Sequence, residues 1–82
     1  MSRLEDAQKV FSMNLQFLRL QRLLIAKVGD AFRGGLASMH DVPEIAECVQ
    51  STDEVIASID KLTATMTRAM DRVETICDES ND

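Results

Sequence analysis

Apolar residues recur every seven positions along two long stretches of this chain, a spacing that belongs to helices and not to strands, whose side chains alternate with a period of two. In the first stretch one line runs Leu4, Phe11, Leu18, Ile25, Phe32. Beside it run Val10, Phe17, Leu24 and Ala31, and Met13, Leu20 and Val28 extend the same side. At 100° per residue these positions cover roughly half the helix circumference, more than the narrow seam of a two-stranded coiled coil. The opposite side carries Glu5, Lys9, Ser12, Gln16, Arg19, Lys27 and Asp30.

The second stretch holds three such lines. They are Val42, Val49, Ile56, Thr63, Met70, Cys77; then Ile45, Thr52, Ile59, Met66, Val73; then Cys48, Val55, Leu62, Ala69, Ile76. Their phase holds from Val42 to Cys77, so one helix is expected to run through Gln50. Ser51-Thr52-Asp53-Glu54 also reads as a capping box and marks the alternative, a break near Gln50.

Local signals set the ends. Ser2 followed by Glu5 forms a capping box, and Glu5 and Asp6 suit the positive end of a helix dipole. Gly34–Gly35 can end the first helix in the left-handed C′ conformation, with Arg33 favourable in its last turn. Asp41 is a good N-cap for the second helix, with Pro43 and Glu44 in its first turn. Leu36 and Met39, in the connection, are expected to fold back over the end of the helices. The chain of 82 residues thus reads as one helical domain, with helix one at about 3–33, a loop at 34–41, helix two at about 42–78 and a frayed acidic tail at 79–82.

The expected fold is all-α: an antiparallel hairpin of two long amphipathic helices. Completion to a four-helix bundle would come from dimerisation or a helical partner. The alternative is a three-helix bundle bent near Gln50. Charge favours the antiparallel pairing. Residues 1–33 carry six Lys and Arg against three acids, and residues 41–82 carry three against eleven. The net charge of −5 disfavours a nucleic-acid binder, which needs cations to neutralise phosphates.

No constellation points to catalysis or to a cofactor. His40 stands in the connection with no nucleophile or orienting group arranged around it, so it reads as a solvated loop residue. Cys48 and Cys77 fall on apolar lines of one helix, roughly 44 Å apart, which excludes a bridge between them and a shared metal site. They read as free thiols, and a reducing, cytoplasmic location is expected. The apolar run Leu23–Ala26 is far too short to span a bilayer. Helix one is basic and amphipathic, but the acidic second helix offers those charges a partner within the chain, which disfavours membrane binding.

Asn14 and Gln21 lie seven apart, near the middle of helix one's stripe. They read equally well as buried amides fixing register and as amides at a wet rim. The sequence is therefore expected to encode a non-enzymatic interaction module, a small adaptor or chaperone-like subunit that binds a helical protein partner. A self-assembling structural subunit is the alternative, and a helical-dimer regulator linked to nucleic acid ranks below both. The expected face draws Phe11, Asn14, Phe17, Leu18, Gln21, Leu24 and Ile25 from helix one. From helix two it draws Ile56, Ile59, Leu62, Met66 and Met70.

Overall fold

The structure, a computed structural model, describes residues 2–79. Helix α1 spans Arg3–Gly35, a single 3₁₀ turn spans Ala37–Met39, and helix α2 spans Pro43–Glu79. No strand occurs among the described residues. The helices run antiparallel as a hairpin measuring 61 × 16 × 12 Å.

Capping starts α1 as the sequence indicates. Ser2 has extended backbone (φ −82°, ψ 160°), and its Oγ accepts a hydrogen bond from the Glu5 N–H at 3.1 Å. The other end differs from expectation. Gly34 and Gly35 complete the last turn of α1, neither in the left-handed region, and Leu36 caps the helix at φ −119°, ψ 21°. The Leu36 N–H donates to the Phe32 carbonyl at 3.2 Å, and the Met39 N–H donates to the Leu36 carbonyl at 2.9 Å. The cap N–H thus closes on the Phe32 carbonyl and the 3₁₀ turn closes on that of Leu36, without a left-handed residue at Gly34 or Gly35.

The start of α2 is also shifted. Pro43 is its first residue, where a missing N–H costs nothing and a fixed φ is preorganised. Val42, not Asp41, therefore occupies the cap position, and its carbonyl accepts from the Ile45 N–H at 3.1 Å. Helix α2 runs unbroken through Gln50, so the three-helix alternative does not form. Its threonines fit a long helix by turning their hydroxyls inward. Thr65, Thr67 and Thr75 each donate to the carbonyl four residues back, at 2.9–3.0 Å. The fraying expected at 79–82 falls, beyond Glu79, outside the described residues.

Between the helices lies a seam rather than a thick core. Gly29, Ile59 and Cys77 are the buried residues among those described. Leu4, Phe11, Leu15, Leu18, Ile25 and Phe32 of α1 are half-buried, as are Ile45, Val49, Ile56, Met66, Met70 and Val73 of α2. Gly29 permits a close approach: a Cβ built there would lie 2.9 Å from Thr52 Oγ1, which is itself bonded to the Val49 carbonyl at 2.7 Å. Leu36 tucks half-buried against the hairpin end, but Met39 stays exposed, because the 3₁₀ turn aims it outward.

Candidate interaction face

The two long edges of the hairpin are chemically different. One is tied by ion pairs. Arg22 grips Asp60 with both arms, Nε to Oδ1 at 2.7 Å and Nη2 to Oδ2 at 3.2 Å. Arg33 Nη2 donates to Asp53 Oδ1 at 2.6 Å, and its Nη1 reaches Asp30 at 3.5 Å. These pairs realise the basic-to-acidic complementarity of the two halves. The bidentate hydrogen bond from Arg22 holds the Asp60 carboxyl below its ordinary pKa, and the Arg22 and Arg33 guanidiniums are held above theirs by their aspartates.

The other edge is an open apolar groove. Leu18, Gln21, Leu24 and Ile25 of α1 line it together with Val55, Ser58, Ile59 and Leu62 of α2, with Ser51 and Glu54 at its lip. Leu18, Ile25 and Ile59, the least exposed of these, form its floor. Outward from it on α1 continues a stripe of large apolar side chains that the hairpin does not cover. Val10, Met13 and Phe17 are 55–58% exposed, and Leu20, Leu24 and Val28 are 42–54% exposed. On α2 the open positions are Val55, Leu62 and Ile76. These α2 positions belong to the third heptad line, which lies one step around the helix from the seam.

The residues expected to form one interaction face are thus divided by the structure. Phe11, Leu18 and Ile25 of α1 and Ile56, Ile59, Met66 and Met70 of α2 belong to the seam between the helices. Asn14, Phe17, Gln21, Leu24 and Leu62 lie exposed on the open face. Asn14 and Gln21 are not buried between α1 and α2. Asn14 Nδ2 donates to the Val10 carbonyl at 2.7 Å, and Gln21 lines the groove. Val10, Met13, Leu20, Val28, Val55 and Ile76 belong with the open set. The signal for them was present: a stripe covering half a helix leaves a second face after one neighbour is packed.

Elsewhere, His40 is exposed beside the apolar hairpin end. Neither Cys48 nor Cys77 forms a disulfide, and Cys77 is buried. Among the described residues no three His, Cys, Asp or Glu side chains are placed to hold a metal ion, and no helix is long and apolar enough to cross a membrane. The arrangement is a sided helical hairpin, closed along one edge by ion pairs and open along the other through apolar side chains. Comparison with known protein families, curated proteins and solved structures finds no match for the chain.

Proposed function

We propose that the protein is a non-enzymatic interaction module whose open edge receives amphipathic helices, completing a helical bundle. The observation that carries this reading is the exposed stripe Val10–Met13–Phe17–Leu20–Leu24–Val28, continuous with the groove floor. Contiguous apolar surface of this extent marks an interaction site on a protein in water. Helical spacing of the anchors suits a helix laid alongside, since i, i+3, i+4 and i+7 positions form one row. Two cysteines on one helix that form no disulfide fit a reducing compartment, and we place the module in the cytoplasm. The adaptor or chaperone-like reading and the structural-subunit reading differ only in whose helices fill the groove.

The test separates the face from the fold. Phe17→Asp and Leu24→Asp should abolish association, measured by sedimentation, while leaving helicity by circular dichroism intact. Reversal of the polar-side charge Lys27 should change association far less, since exposed ion pairs contribute little. Association that survives both aspartate substitutions would contradict the reading.

A further inference from the structure

We propose that the occupant of the open edge is a second copy of this chain, laid antiparallel across a two-fold axis perpendicular to the helices, so that α1 covers α1 and α2 covers α2. This rests on the interaction-module reading above and names its partner. Two independent patterns carry it.

The first is apolar. About a centre between Leu20 and Gln21, the exposed stripe of α1 reads the same in both directions except at the centre itself, where Leu20 falls opposite Gln21. An antiparallel copy there sets Phe17 against Leu24, Met13 against Val28 and Val10 against Ala31 of its mate, each twice. Gln21 falls beside the axis, where two amides can donate to and accept from each other. A polar group at such a point fixes register at a cost in stability.

The second pattern is charge along the lip of α2. Glu47, Glu54, Lys61 and Arg68 follow at seven-residue intervals, with Ser51, Ser58, Thr65 and Arg72 in the next line. Glu54, Ser51 and Ser58 line the groove, and the other members follow from them at heptad spacing along the same side of α2. None of these five charged residues takes part in an ion pair among the described residues, whereas Asp53 and Asp60 on the far edge are both paired. The lip is acidic in its first half and basic in its second. About a centre between Ile59 and Asp60, an antiparallel copy brings Glu47 to Arg72 and Glu54 within a turn of Arg68.

These two centres are at one level of the hairpin. Arg22 is bonded to Asp60, and Gln21 and Ile59 line the same stretch of groove. A single two-fold axis therefore satisfies the apolar pattern of α1 and the charge pattern of α2 together. The area also fits. A long side of 61 by 12–16 Å is roughly 700–1,000 Å², comparable with the roughly 800 Å² per partner of a stable interface.

The test is disulfide trapping on the full chain with Cys48→Ala, the same background serving as control. Gln21→Cys should give a covalent dimer on mild oxidation. Val10→Cys alone should not, and a mixture of Val10→Cys and Ala31→Cys chains should. Arg72→Glu and Glu47→Arg should each raise the dimer Kd on the order of tenfold, since each acts twice across the axis, and their combination should restore it. A dimer trapped through Val10→Cys alone, or indifferent to both charge reversals, would overturn the arrangement while leaving the face as an interaction site. A chain monomeric at every concentration would overturn the second copy as occupant. If that monomer also bound an apolar fluorescent dye no better than Phe17→Asp does, the interaction-module reading would fall with it.

Discussion

Gly29 lies at a close contact between the helices. A helix interior normally prefers alanine to glycine by about 1 kcal/mol, so Gly29→Ala would stabilise an isolated α1. In the folded chain the added methyl meets Thr52 Oγ1 at 2.9 Å, and that hydroxyl is held by the Val49 carbonyl. Gly29→Ala should therefore lower stability by about 1–3 kcal/mol, and Thr52→Ala in the same chain should recover most of it. Gly34→Ala meets nothing within 4 Å and should stabilise by up to about 1 kcal/mol. Thermal melts of the three variants check the set; equal effects at Gly29 and Gly34 would deny the close approach. The sequence offered Gly29 no special signal, because its role depends on which α2 residue stands opposite.

Asp60 gives a second residue-scale expectation, in pH. Its folded pKa is lowered by the Arg22 hydrogen bond, so the pair stabilises the fold fully above the ordinary aspartate pKa of about 3.9. That stabilisation is lost as pH falls through the lowered native value, while Arg22 stays charged throughout. Asp60→Asn should melt below the parent chain at neutral pH, and the two curves should converge in acid. Both groups are exposed, so the gap should also shrink in high salt. A gap independent of pH would assign it to something other than the ion pair.

At the scale of the element, α1 carries two apolar faces with separate duties. Leu18, Ile25 and Phe32 pack toward α2, and Val10, Phe17 and Leu24 do not. Ile59→Ala, at 8% exposure, should cost about 2 kcal/mol or more, because a cavity opens in a thin seam. Phe17→Ala should leave the isolated hairpin nearly as stable and act on association instead. Chemical denaturation at two protein concentrations distinguishes them. The heptad lines made both helices and the continuity of α2 legible from sequence, since a break at Gln50 would have reset their phase. The division of α1 into a seam and an open face was not legible. Lines seven apart are equivalent until a neighbour is placed, and contacts such as Arg22–Asp60, Arg33–Asp53 and Gly29 against Thr52 reveal where α2 lies. The helix ends were blurred for a similar reason: α1 runs on through Gly34–Gly35 to a cap at Leu36, whose N–H closes on the Phe32 carbonyl.

The whole molecule is long and under-covered. Its radius of gyration is 18.5 Å, against about 12 Å for a compact domain of this length. Its accessible surface is 6063 Å², where a compact monomer of its mass would show about 4,900 Å². The excess, on the order of 1,200 Å², is of the size that one subunit hides in a dimer. In the dimer proposed above, association would add to the hairpin's own stability, so the two should rise together with concentration. Sedimentation equilibrium from nanomolar to high micromolar concentration, read beside the melting temperature, tests this most directly. A mass moving from the 9.1 kDa of one chain toward twice that value, with the melting temperature rising in step and both changes absent in Phe17→Asp, is the predicted result. A single 9.1 kDa species with one melting temperature at every concentration would contradict it.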